Sequence, residues 1–279
     1  MIQINKESVF LNGKKIGGHN PFFLIAGPCV MESYELLKQT AKELKKIADE
    51  KNIFLIYKSS YDKANRSSIN SFRGPGISEG LKMLRDIKKE FNLPIITDVH
   101  SPEEIQKAAE VVDMLQIPAF LSRQTDLVIE AARSNLWVSI KKGQFIAPPD
   151  ALKIVEKFHK SGSEKIIICE RGYTFGYNNL IVDMRGLEFL RKENVHVVMD
   201  ITHSTQLPGG GDVSGGEREM ALPIARAAAA VGIDGIFLET HPNPPEAKSD
   251  ATNQQYLKDI PKILDYIKKI DSIVKDIYA

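Results

Sequence analysis

The sequence predicts an α/β fold, a (β/α)8 TIM barrel with an N-terminal β-hairpin, on three observations. Eight short apolar runs alternate with eight longer segments of helical period, the signature of βα units around a parallel sheet. The length, 279 residues, suits one such barrel. Each strand run is followed by residues able to do chemistry, where a barrel places its active site.

Taken in order, Val9-Phe10-Leu11, Asn12-Gly13 and Lys14-Lys15-Ile16 read as a hairpin within residues 1–17, because Asn-Gly supplies the positive φ angles of a two-residue turn. The strand runs are 22–26, 53–58, 95–98, 114–117, 137–141, 166–169, 196–200 and 235–239. The helical segments are 33–50, 78–91, 102–110, 125–133, 149–160, 184–192, 217–231 and a closing one from 254. Ser33 ahead of Leu36-Leu37 reads as an N-cap, and Pro102 and Pro149 stand in first turns, which tolerate proline. No short repeat, low-complexity stretch or charged linker divides the sequence, so 1–279 is expected to be a single barrel domain with 1–17 as its hairpin cap.

The formal net charge is +1 with acids and bases interspersed, which leaves no footprint for nucleic acid or a membrane surface and points to a small-molecule partner. Lys6, Glu7, Lys14 and Lys15 interrupt the N-terminal region where a signal peptide needs an apolar core, and no apolar run is long enough to span a bilayer; a cytoplasmic location is expected. Cys29 and Cys169 make no disulfide framework, so each is either a small core residue or a thiolate ligand.

The densest chemistry lies at 232–253, where the apolar Ile233, Ile236, Phe237 and Leu238 lead directly into Glu239, His241, Glu246 and Asp250, with Pro242, Pro244 and Pro245 stiffening the loop. Across the strand ends two kinds of group separate. Cys29, His203, Glu239 and Asp250 offer a thiolate, an imidazole and two carboxylates, which suit a divalent ion such as Zn2+ or Fe2+ better than Mg2+ or Ca2+. Their spacing makes no compact motif; His100 and His241 are rival ligands, and Cys29 reads equally well as a buried structural thiol.

The second kind is cationic: Lys58, Lys63, Arg66, Lys141 and Arg171 come from different strand ends and together match a multiply charged anion, hence phosphorylated substrates. Asn65-Arg66-Ser67-Ser68 adds a guanidinium and hydroxyls suited to a phosphate. The glycine-rich 207–216 segment reads as a loop that closes over the site.

Ala26-Gly27-Pro28-Cys29, Tyr57-Lys58-Ser59-Ser60, Asp62-Lys63-Ala64-Asn65-Arg66-Ser67-Ser68, Gln116-Ile117-Pro118-Ala119-Phe120-Leu121 with Arg123-Gln124-Thr125-Asp126, Phe175-Gly176-Tyr177-Asn178-Asn179 and Asp200-Ile201-Thr202-His203 resemble the 3-deoxy-D-manno-octulosonate 8-phosphate synthases over nearly the whole chain. The resemblance implies an aldol-like condensation of phosphoenolpyruvate with D-arabinose 5-phosphate and water, serving lipopolysaccharide synthesis, in a homotetrameric barrel. It makes Lys58, Lys63, Lys141 and Arg171 the phosphoenolpyruvate pocket. Asn65, Arg66 and Ser67 become the arabinose 5-phosphate pocket, completed by Arg123 from a neighbouring subunit. Cys29 after the Gly-Pro pair, with Ser249-Asp250-Ala251, resembles the metal-dependent branch, so Cys29, His203, Glu239 and Asp250 are the expected ligands. The reaction needs two anions held close and oxygen charge stabilised, with Lys58, Asp98 and His203 as the catalytic candidates, the last two for proton transfer, and Gln116 as a neutral hydrogen-bond partner. Two alternatives stand beside it: the sister 3-deoxy-D-arabino-heptulosonate 7-phosphate synthase, which uses erythrose 4-phosphate but typically reads Lys-Pro-Arg-Thr where this chain has Lys63-Ala64-Asn65-Arg66-Ser67, and a non-catalytic sugar-phosphate-binding barrel.

Overall fold

The computed structural model describes residues 9–66, 68–209 and 215–277. The eight expected strands form β1 Phe23–Gly27, β2 Leu55–Lys58, β3 Ile95–Asp98, β4 Met114–Ile117, β5 Trp137–Lys141, β6 Ile166–Glu170, β7 His196–Asp200 and β8 Gly235–His241. Each pairs in parallel with the next, and β8 returns to β1 with Glu239 opposite Gly27, which closes a (β/α)8 barrel. The outer ring is α1 Tyr34–Lys51, α2 Ile77–Phe91, α3 Pro102–Ala109, α4 Thr125–Arg133, α5 Pro148–Lys160, α6 Met184–Lys192, α7 Ala221–Val231 and α8 Ile260–Ile277. Ser33 caps α1 as expected, its Oγ accepting the Leu36 N–H at 3.1 Å.

Several boundaries move by one or two residues from the sequence reading, among them the start of β2, at Leu55 rather than 53, and the end of β8, at His241 rather than 239. Three differences bear on the fold. Phe22 is not in β1, because its N–H is taken by the Asp271 carboxylate at 3.0 Å. The segment before α7 is a single 3-10 turn, Arg218–Met220. The closing helix starts at Ile260 rather than 254, because Gln255 and Tyr256 pair with Thr240 and His241 as an added strand on β8. Tertiary pairing there overrides the local helical period.

The hairpin pairs Val9–Leu11 with Lys14–Ile16, turning at Asn12 (φ 45°) and Gly13 (φ 76°). Leu11 and Ile16 enter the cluster that fills the barrel interior with Phe23, Ile25, Met114, Trp137 and Phe237, so the hairpin stoppers the N-terminal end. Residues 1–8 of the expected hairpin cap lie outside the described residues. A larger apolar layer, with Leu44, Leu84, Ile105, Phe158 and Leu264 among its members, packs the helices on the outside of the sheet.

Gly235 opens β8 against that interior: a Cβ there would lie 2.9–3.0 Å from the Phe23 ring carbons. Gly235→Ala is therefore expected to cost about 1–3 kcal/mol through overpacking. That should lower the midpoint of a thermal melt by several degrees; an unchanged midpoint would show that the Phe23 ring shifts freely.

Candidate active site at the C-terminal mouth of the barrel

Strand period places the site. Side chains two apart share a face, so counting on from the interior residues Ile25, Ile56, Ile96, Met114, Ile167, Val198 and Phe237 brings Lys58, Asp98, Gln116, Cys169, Arg171, Asp200 and Glu239 inward. Lys141, four residues after Trp137, and Cys29, four after Ile25, obey the same count. All of these are buried.

At the centre lies Glu239, wholly buried. Its Oε1 accepts from Lys58 Nζ at 2.7 Å and lies 3.8 Å from Lys63 Nζ. Its Oε2 faces His203 Nε2 at 3.7 Å and, although buried, has no hydrogen-bond partner. Lys58 Nζ also donates to the Cys29 carbonyl at 3.3 Å and sits 3.6 Å from Asp98. Asp98 accepts from Ser60 Oγ and Gln116 Nε2. Burial alone would push the Asp98 and Glu239 carboxyls up, but Lys58 foremost, with Lys63, outweighs it and holds both well below the usual carboxylate range.

Cys29, Glu239 and Asp250 each present a ligand atom, all within 4.8 Å of one another. The Cys29 thiol donates to Asp250 Oδ2 at 3.0 Å and lies 3.1 Å from Ser249 Oγ. Burial and then Glu239 push that thiol up, so a cation would be needed to hold a thiolate there. His203 falls outside this three-residue cluster, its Nε2 lying 3.7 Å from Glu239 Oε2. Its Nδ1 is tied to Asp200 at 2.8 Å, an arrangement that orients imidazole and leaves Nε2 aimed at the cluster. The unpartnered Glu239 Oε2, the buried thiol and the oriented Nε2 together fit a divalent ion of borderline softness. Of the rival ligands, His100 is bound to Glu104 at 3.2 Å, and His241 lies 3.7 Å from Glu32 and accepts from the Asn243 N–H.

Lys141 is ion-paired with Asp200 and stands 3.6 Å over the Phe237 ring. Arg171 shares Gln206 Oε1 through Nη2, while its buried Nη1 has no partner. An unpaired, buried guanidinium nitrogen is costly unless an anion comes to it. Arg66 donates to Phe72 O, Ser249 Oγ and Lys248 O, at the rim on the side of Asp250. Asn65 and Arg123 are exposed, and the Arg123 side chain makes no hydrogen bond or ion pair among the described residues. Ser67 and, in the expected lid, 210–214 lie outside the described residues; the flanking Gln206–Leu207 and Gly215–Gly216 pair antiparallel.

Sequence reasoning did not assign three bridging groups. Asp200 holds both Lys141 and His203. Gln206 links Arg171 to Asp250, donating to Asp250 Oδ1 at 2.6 Å. Ser249 Oγ joins Arg66, Cys29 and Asp250. Asp200 was legible as a polar strand end, but nothing in the spacing ties its partners to it.

The sequence model of the DAHP synthetase I family matches residues 1–276. The chain is 55% identical over 262 residues to a 2-dehydro-3-deoxyphosphooctonate aldolase of Fusobacterium nucleatum subsp. nucleatum, covering 94% of each chain. It is 51% identical to the protein of that name from Francisella tularensis subsp. holarctica, over 94% of this chain and 95% of the relative. It is 50% identical to that of Geobacter sulfurreducens, over 96% and 99% respectively.

Proposed function

The chain belongs to the DAHP synthetase I family, and from that membership we infer that it condenses phosphoenolpyruvate with D-arabinose 5-phosphate and water, releasing phosphate. The observation that carries this reading is identity of 50% or more over at least 94% of both chains to enzymes named for an eight-carbon product. Three carbons from an enolpyruvyl unit and five from an aldose phosphate make that product; erythrose 4-phosphate would give seven.

Carbon 3 of the enol phosphate adds to the aldehyde carbon, water adds at carbon 2, and the phosphate leaves with its bridging oxygen. Both substrates are anions, so their approach is opposed until cations screen it. Lys58, Lys63, Lys141 and Arg171 supply that field for phosphoenolpyruvate, and the unpartnered Arg171 Nη1 supports a phosphate or carboxylate there. Asn65, Arg66 and Ser67 take the phosphate of the aldose, with Arg123 entering from a neighbouring subunit of a homotetramer. Arg123, exposed and unpaired among the described residues, suits that role.

A divalent ion such as Zn2+ or Fe2+, held by Cys29, His203, Glu239 and Asp250, would supply polarisation of the aldehyde oxygen or orientation of the water. Of the two roles expected of His203, the Asp200 bond at Nδ1 supports that of ligand, because an Nε2 that holds the ion carries no proton to pass. Asp98 is already engaged by Ser60, Gln116 and Lys58, so it anchors these groups and would exchange a proton only through them. Among the described residues no helix is long and apolar enough to cross a membrane; we place the enzyme in the cytoplasm, as one barrel domain serving lipopolysaccharide synthesis. The test is phosphate release from phosphoenolpyruvate, which should require arabinose 5-phosphate and be absent without it.

A further inference from the structure

Strand alternation that turns Lys141 and Arg171 into the mouth turns their neighbours Lys142 and Glu170 outward, between the wall and the helices. Both are fully buried, from adjacent strand ends joined by the Lys142 N–H to Cys169 carbonyl bond at 2.8 Å. Lys142 Nζ lies 3.6 Å from Glu170 Oε1, donates to the Gly143 and Ile146 carbonyls at 3.1 Å each, and stands 3.6 Å over the Tyr173 ring. Glu170 Oε1 in turn accepts the backbone N–H of Arg171 at 2.9 Å and of Gly172 at 2.6 Å. Gly172 holds a φ of 93°, so the backbone turns sharply directly after Arg171, and the carboxylate is what grips that turn. Burial pushes the Glu170 carboxyl up and the Lys142 ammonium down, so each charge depends on the other.

We propose that Glu170 and Lys142 are positioning residues: from outside the barrel wall they fix the Arg171-Gly172 turn and the spacing of the inward cations Lys141 and Arg171. This rests on the reading of those two cations as the phosphoenolpyruvate subsite. Neither outer residue touches substrate; they set where the anion's partners stand, and a displacement near 1 Å at such a group is worth up to about a hundredfold in rate.

The experiment compares Glu170→Ala, Glu170→Gln and Glu170→Asp in the full chain, reading KM for each substrate, kcat and calorimetric binding of phosphoenolpyruvate, with circular dichroism as the check on folding. Glu170→Ala should raise KM for phosphoenolpyruvate by about tenfold or more, leaving KM for arabinose 5-phosphate within about twofold. Glu170→Gln still offers a carbonyl oxygen to both N–H groups and should recover most of the loss in KM, while the Lys142 ammonium, left without its charge partner, lowers the midpoint of a thermal melt. Glu170→Asp keeps the charge but loses the reach and should not. If Glu170→Ala does not fold, the Gln and Asp variants decide the matter between them. Equal shifts in both KM values, or Gln no better than Asp, would overturn the proposal. Failure of the wild-type protein to bind phosphoenolpyruvate would instead overturn the subsite reading, and the positioning role with it.

Discussion

Replacing Lys58 by methionine should lower turnover by about three orders of magnitude, roughly 4 kcal/mol of barrier, and bring thermal unfolding forward by roughly 10 °C. Lys58 is 1% exposed and is the nearest cation to both Glu239, at 2.7 Å, and Asp98, at 3.6 Å. Methionine fills similar volume, so the loss is one of charge rather than packing. Two buried carboxylates would then be undercompensated, and removing one partner of such a pair typically costs about 3–5 kcal/mol.

The sign with pH follows from the carboxyls. In the wild-type protein both are held below their ordinary range, so their contribution to stability is fully present above the unfolded value near about 4 and is lost only as pH falls through the lower folded values. Without Lys58 both would rise and take up protons more readily. Melts at pH 7 and pH 5 should therefore show the gap between variant and wild type narrowing at the lower pH. A gap that stays constant would mean that Lys58 acts through packing alone.

Cys29→Ala should reduce bound divalent metal well below one per chain and activity by about a hundredfold or more, while thermal stability of the metal-free protein changes by only about 1 kcal/mol for a small buried group. The asymmetry comes from what the thiol touches: Asp250 at 3.0 Å and Ser249 at 3.1 Å, beside an unpartnered Glu239 oxygen, rather than an apolar core. Cys169, buried among Ile167, Val198 and Phe237, is the contrasting case and should tolerate alanine with no effect on metal content. Elemental analysis of the purified proteins, with activity before and after chelation, reads both. Full activity in metal-free wild-type protein would make Cys29 a structural thiol.

Much of this architecture was legible because barrel strands are short apolar runs with sharp ends. The expected ranges 95–98, 114–117, 137–141 and 196–200 coincide with β3, β4, β5 and β7. The same period of two that makes a strand also assigns Lys58, Lys141 and Glu239 to the interior. Boundaries slipped where distant chain competes for the backbone. The segment from 254 carries a helical pattern, yet Gln254 bonds the Cys29 N–H and Gln255 pairs with Thr240, so the helix waits until Ile260.

The site was less legible than the fold. Spacing showed which groups gather at the mouth but not who holds whom: His203 and Lys141 meet on Asp200, and Lys142 reaches Glu170 behind the wall. Those pairings depend on the radius and stagger of the closed sheet, which no single stretch of sequence encodes.

The most direct test of the account is the specificity of phosphate release. With phosphoenolpyruvate saturating, kcat/KM should be at least about a hundredfold higher for arabinose 5-phosphate than for erythrose 4-phosphate, because the eight-carbon product for which the relatives are named takes a five-carbon sugar. The eight-carbon keto-acid phosphate should accumulate mole for mole with phosphate. A preference for the four-carbon sugar, or no phosphate release with either, would contradict it.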